Sequence, residues 1–175
     1  MIKGIVMDFD GLIFDTEYMY YEVYQDMFAK EGATLSLADF SGGIGTQGAT
    51  NVGRWLERQT GRPADEEAMI AYGKAETTRR LKQITEPRPG IRDLLEQGKR
   101  LDVAIGLASS SDRPWVLGWL RHLELESYFS VICTSEDVEN VKPDPALYHL
   151  AARRLGYPTS QLLVFEDSAN GSKAA

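Results

Sequence analysis

The sequence predicts an α/β protein: a doubly wound parallel sheet with an all-helical domain inserted after the first strand. Three observations carry this. Short apolar runs at 5–7, 101–108, 131–133 and 162–165 read as strands buried on both faces. Helical patterns separate the last three runs, and strand–helix–strand alternation implies right-handed parallel crossovers. From 16 to 87, helix follows helix with no convincing strand. The chain therefore divides into a core, 1–15 and 88–175, and a helical insertion, 16–87.

The first run, Ile5-Val6-Met7, stops abruptly at Asp8, with Asp10 and Gly11 just beyond it. Ligands of parallel sheets sit at the carboxyl ends of the strands. Asp8 is thus expected at the end of a central strand, with Asp10 on the same loop. Two carboxylates this close strain each other's ionisation. A divalent cation relieves the strain, and Mg²⁺ suits because it leaves room for substrate phosphate and water. A carboxylate can also act as a nucleophile and form an aspartyl-phosphate. Taken alone, Asp-x-Asp-Gly is equally an acidic turn. A calcium loop of the EF-hand type is excluded: Ile13 and Met19 stand where its glycine and glutamate are required.

Asp15 or Thr16 can cap a helix over 17–31, with Tyr20, Tyr24, Met27 and Phe28 as its apolar stripe and Gly32 as its stop. A short helix is expected over 35–40. Gly43-x-Gly45-x-x-Gly48 has the spacing of a dinucleotide-binding turn, but no strand precedes it, so it reads as a loop. Helices follow over 50–60, built on Val52, Trp55 and Leu56, and over 65–84. Pro87-Arg88-Pro89-Gly90 then breaks the chain.

A helix over 91–97 leads into the second strand, which ends in Ser109-Ser110-Ser111. Asp112 caps the next helix, Pro114 lies in its first turn, and Val116, Leu117, Leu120 and Leu123 form its buried stripe. After the third strand, Lys142-Pro143 precedes a helix over 146–155 that Gly156 terminates. The fourth strand runs into Glu166-Asp167-Ser168.

Each strand end thus offers a polar group of one chemistry. Asp8 and Asp10 follow the first strand. Ser109, with backbone amides at the following helix start, suits phosphate oxygens. Lys142 can neutralise a nucleophile and a phosphate. Glu166 and Asp167 form a second acidic pair suited to Mg²⁺. Phosphoryl transfer needs these parts: a nucleophile, a metal and fixed positive charge. Singly, each has a plain reading as a polar loop, a helix entry or a solvated turn. Their joint appearance at strand ends makes coincidence improbable.

Asp8-Phe9-Asp10-Gly11-x-x-x-Asp15-Thr16, the apolar run into Ser109, Lys142-Pro143 and Glu166-Asp167-Ser168 resemble the motifs of the haloacid dehalogenase superfamily. The insertion after the first strand is similar to the cap of its beta-phosphoglucomutase-like and phosphoglycolate-phosphatase-like branch. The resemblance implies a Rossmann-like core with a helical cap, and Asp8 as nucleophile with Asp10 as general acid/base. It further implies that Ser109, Ser110 and Lys142 hold the phosphoryl group. Mg²⁺ would be held by Asp8, Glu166, Asp167 and the Asp10 carbonyl, and Asp15 would be a loop or capping residue.

Asp10 argues against a true dehalogenase, which lacks this second aspartate. The mutases of the branch carry a histidine soon after the first motif, where Tyr20 stands here, and a cap-loop arginine, whereas no cation precedes Arg54 in this loop. Hydrolysis of a small phosphate ester is therefore expected, with phosphosugar mutation as the alternative. Arg54, Arg58, Arg79, Arg80 and Lys82 are candidates for contact with an anionic substrate, or simply solvated helix charges. His122, His149, Trp55, Trp115 and Trp119 read as packing or surface residues.

Composition bounds the rest. With 175 residues, 43% of them hydrophobic, the chain can bury a core. A net charge of −7 argues against nucleic acid or an anionic membrane as partner. No apolar run approaches the roughly 20 residues that span a bilayer, and Met1-Ile2-Lys3-Gly4 is too brief for a signal peptide. The single cysteine, Cys133, reads as a buried small hydrophobe and fits a reducing cytoplasm. A monomer or weak homodimer is expected. Family members continue into a further strand beyond the fourth motif. The resemblance thus also implies a fragment, or a shortened and inactive phosphate- or metal-binding remnant, with the 162–165 strand exposed at a sheet edge.

Overall fold

The computed structural model describes residues 1–41 and 51–175. The expected loop around Gly43, Gly45 and Gly48 lies outside the described residues. The chain forms two compact units, one of residues 1–15 and 85–175 and the other of residues 16–84.

The first unit is built on a four-stranded, all-parallel sheet. Its strands are β1 (Gly4–Met7), β2 (Ala104–Ala108), β3 (Val131–Cys133) and β4 (Leu162–Phe165), in the order β3-β2-β1-β4. Every residue of β1 is buried, as a central strand requires. Helices cover both faces. Gly106 of β2 lies against Leu155, whereas its neighbour Ile105 lies against Gly98. Successive strand residues point to opposite faces. The helix holding Gly98, Ile91–Arg100, and the helix holding Leu155, Ala146–Leu155, therefore lie on opposite sides of the sheet. The second of these buries Leu147, Tyr148 and Ala151 against Val6, Ala108 and Cys133. The doubly wound α/β fold expected from the sequence is the one observed.

The second unit holds α1 (Thr16–Lys30), α2 (Leu37–Ser41), α3 (Val52–Thr60) and α4 (Glu66–Leu81). In chain order the remaining helices are α5 (Ile91–Arg100), α6 (Arg113–His122), α7 (Ala146–Leu155) and α8 (Ala169–Ala174). Tyr21, Tyr24, Phe28, Phe40, Val52 and Leu56 belong to one apolar cluster within the second unit. Gly73 lets α4 approach the Tyr24 ring so closely that a Cβ there would collide with it.

Some boundaries differ from expectation. The buried stripe of α1 is Tyr21, Val23, Tyr24 and Phe28, with Tyr20 and Met27 only partly buried. Tyr24 and Phe28 are buried as expected, while Val23 and Tyr21, whose hydroxyl donates a buried hydrogen bond to the Leu35 carbonyl, take the core places expected for Tyr20 and Met27. The second strand is shorter than the apolar run at 101–108. α5 runs on to Arg100, where Lys99 and Arg100 complement its C-terminal dipole, and Asp102 then turns the chain at φ 53°. In α6, Leu117 is half-buried and Trp119 takes its place in the core. Cys133 is fully buried, and β4 forms a sheet edge with Leu163 exposed. Arg79 and Arg80 are engaged by Glu76, and Arg80 also by Asp26. No helix among the described residues is long and apolar enough to cross a membrane.

Candidate active site

Strand register decides what meets what. Met7 pairs with Leu107 on one side and Phe165 on the other. The residues after them leave the sheet at the same end. The Asp8 N–H donates to Phe165 O at 3.0 Å, and the Ser109 N–H donates to Cys133 O at 3.0 Å. Asp8, Asp10, Ser109, Glu166 and Asp167, spread over the length of the chain, are brought to this one end.

Lys142 is the hub. Its Nζ donates to Asp8 Oδ1 at 2.6 Å and to Glu166 Oε1 at 2.7 Å, and the lysine is 4% exposed. The Tyr148 ring lies 4.9 Å below the same ammonium, and the Tyr148 hydroxyl donates to Glu166 Oε1 at 3.1 Å. The other Glu166 oxygen accepts from the Ser168 N–H and hydroxyl at 2.9 and 3.1 Å.

These contacts set the ionisation of the site. Burial is the largest influence on Asp8 and outweighs the Lys142 charge, so its carboxyl sits well above the usual value. Burial also opposes the charged form of Glu166. There Lys142, with the bonds from Ser168 and Tyr148, wins, and the carboxyl is held below its usual value. Asp167, at the exposed edge, is pushed up to about 6 by partial burial and by the neighbouring Glu166 charge. Burial, then the charges of Asp8 and Glu166, push the Tyr148 phenol far up, so it stays a donor.

Asp8, Glu166 and Asp167 each offer an oxygen within 4.8 Å of the other two. An all-carboxylate set of this kind suits a hard divalent cation. Glycines leave room for two of these carboxylates. At Gly11, φ +80°, a Cβ would collide with the Asp167 carboxylate, and at Gly171 a Cβ would collide with the Glu166 carboxylate. Gly171→Ala is expected to lower stability by about 1–3 kcal/mol through overpacking. Urea denaturation of the variant against the parent measures this.

The Asp10 carboxylate is placed differently. It accepts from Ser111 Oγ at 2.6 Å and Ser109 Oγ at 3.4 Å on one oxygen, and from Trp115 Nε1 at 2.9 Å on the other. It is not one of the three carboxylates that converge for a cation. The Ser109 hydroxyl also accepts from the Ser111 N–H at 3.0 Å, and the Ser110 hydroxyl is buried beside it. Asp15 forms a 3.0 Å ion pair with Arg88.

A family model described as haloacid dehalogenase-like hydrolase matches residues 5–175. The chain belongs to that family. Its relatives agree. YhcW of Bacillus subtilis, described as a candidate phosphatase, is 43% identical over 175 residues, which are 100% of this chain and 79% of YhcW. A phosphorylated carbohydrates phosphatase of Thermotoga maritima is 29% identical over 99% of this chain and 80% of its own length. A solved structure described as a candidate beta-phosphoglucomutase of Thermotoga maritima superposes with a TM-score of 0.79. It is 29% identical, over 99% of this chain and 80% of that one.

Two residues of this hydrolase's site were hidden from sequence reasoning. Tyr148 looks like one more member of the apolar stripe of α7, and nothing in its spacing marks the ring beneath Lys142. Trp115 reads as packing, and its indole does meet Trp119 edge-on at 5.5 Å. Its N–H nevertheless donates to Asp10. The only available signal was its place in the first turn of the helix that follows the serine run.

Proposed function

We propose that this hydrolase is a Mg²⁺-dependent phosphatase of small phosphorylated metabolites, of the sugar phosphate or phosphoglycolate kind, acting through an aspartyl-phosphate on Asp8. The observation that carries the reading is the buried Lys142 bridging Asp8 and Glu166 at 2.6 and 2.7 Å. A neutralised, buried carboxylate at a strand end, with two further carboxylates beside it, is what an in-line phosphoryl acceptor requires. The relatives described as phosphatases support it.

In this reading an Asp8 oxygen bonds to phosphorus as the ester P–O bond breaks, and Asp10 gives a proton to the leaving oxygen. Asp10 then takes a proton from the water that attacks the phosphorus and frees Asp8. Lys142 and Ser109 hold the phosphoryl oxygens. Mg²⁺ held by Asp8, Glu166 and Asp167 would offset the charge on the phosphoryl group. The helical unit would be the cap that selects the substrate. The relative described as a beta-phosphoglucomutase favours a second reading, phosphosugar mutation. A hexose bisphosphate that primes sugar-phosphate isomerisation would favour it over hydrolysis.

The test is turnover of p-nitrophenyl phosphate, expected with Mg²⁺ and abolished by EDTA. No turnover of any phosphate ester with Mg²⁺ present would contradict the reading. The proton on Asp167 gives a second readout. Its carboxyl, raised to about 6, must lose a proton to bind a cation. Asp8, whose carboxyl burial also raises, must lose its proton as well, so Mg²⁺ affinity should fall by at least about tenfold per pH unit below 6, as calorimetric titration would show. For the metal-free protein the sign is opposite. A raised folded value means that the folded form holds the proton more tightly than the unfolded chain. Stability from this group is thus present in acid and is lost as pH rises through about 6.

A further inference from the structure

Asp10 is held by two elements at once. Its Oδ1 accepts from Trp115 Nε1 at 2.9 Å, and its Oδ2 accepts from Ser111 Oγ at 2.6 Å and lies 3.4 Å from Ser109 Oγ. The indole is itself fixed. The Trp115 backbone N–H donates to the N-cap Asp112 at 2.8 Å. The Trp115 ring meets Trp119 edge-on at 5.5 Å, and Trp119 packs on Phe14 with ring centres 5.3 Å apart. Phe14 is on the same loop as Asp10, and its carbonyl accepts from the Gly11 N–H at 2.8 Å. The loop that carries Asp10 thus braces the indole that binds Asp10.

An indole N–H can only donate, whereas a hydroxyl can donate or accept. Oδ1, facing the indole, is therefore fixed as an acceptor in either protonation state of Asp10. Oδ2, facing two hydroxyls, can carry a proton without losing its neighbours. We propose that Trp115 is a positioning residue for Asp10, holding Oδ1 so that the proton travels through Oδ2 on the Ser109 side. This rests on the reading of Asp10 as general acid/base. As the Asp8–phosphorus bond forms and the ester bond breaks, the Oδ2 proton passes to the leaving oxygen and Asp10 is left as carboxylate. The attacking water later returns a proton to Oδ2.

The test uses leaving groups. An alkoxide needs the proton, and p-nitrophenolate hardly does. kcat/KM reports the step up to transfer onto Asp8, so it is compared for glucose 6-phosphate and p-nitrophenyl phosphate. Asp10→Asn should lower the alkyl-to-aryl ratio about a hundredfold. Trp115→Phe, which keeps the ring and removes the N–H, should lower it about tenfold. Trp115→Leu should give the same ratio. The ratio from one preparation does not depend on the fraction folded. In the Asp10→Asn background, Trp115→Phe should no longer change it. An equal loss on both substrates, or a Trp115→Phe effect that persists without Asp10, overturns the positioning role while leaving the phosphatase reading intact. An Asp10→Asn variant with an unchanged ratio overturns the acid role of Asp10 itself, and the inference with it.

Discussion

Asp8→Asn is expected to yield a folded protein whose phosphatase turnover falls by about a thousandfold or more. The amide has the shape of the carboxylate but cannot form an acyl phosphate. Loss of folding is not expected to confound this result. Asp8 is 7% exposed, and its burial disfavours the charged form, so the neutral amide removes a desolvation cost. Lys142 keeps Glu166 as a partner at 2.7 Å. Thermal melting should therefore differ little between variant and parent, and activity should differ greatly. A variant that keeps a tenth of the parent activity would mean that another group accepts the phosphoryl moiety.

Lys142→Met carries the second large effect, and here stability goes with activity. The lysine is 4% exposed and joins two carboxylates. Removing it leaves Asp8 and Glu166 facing each other in a buried site, and breaking a buried pair in this way costs about 3–5 kcal/mol. The loss depends on pH. Without the ammonium both carboxyls hold protons more tightly in the folded form, so the deficit grows as pH rises through the carboxylate range and shrinks in acid. Mg²⁺ should restore part of it. Turnover should fall at least about a hundredfold, since a fixed charge at the phosphoryl group is lost. Urea denaturation at pH 5 and pH 8, with and without Mg²⁺, measures all of this. A variant as stable as the parent at pH 8 without metal would show that Lys142 does not carry the site.

The sheet was legible because its strands are continuous apolar runs, three of them ending directly in a polar residue of the candidate site, Asp8, Ser109 and Glu166. β3 at 131–133 and β4 at 162–165 fall where the apolar runs place them. Asp8, Ser109, Lys142, Glu166 and Asp167 were legible for the same reason: each sits where such a run, or the helix entry after it, ends. What the sequence hid depends on rotation and on side-chain direction. Half of the stripe of α1 was misplaced, Tyr20 and Met27 standing for Tyr21 and Val23, since an aromatic-rich run, Tyr18 to Tyr24, fits several faces. The apolar run at 101–108 concealed the end of α5, because Leu101 is apolar yet 73% exposed at the helix terminus. Tyr148 and Trp115 have the same obstacle in common. Both lie on apolar helix faces, and only the three-dimensional path of their polar tips reveals that one serves Glu166 and the other Asp10.

The central claim is that the phosphoryl group passes through Asp8. Borohydride reduces an acyl phosphate and would convert Asp8 to homoserine, which peptide mass mapping detects. During turnover with substrate and Mg²⁺, homoserine is expected at position 8 alone, and absent when either is withheld. Steady phosphate release with position 8 left as aspartate, or reduction at another carboxylate, would contradict the account.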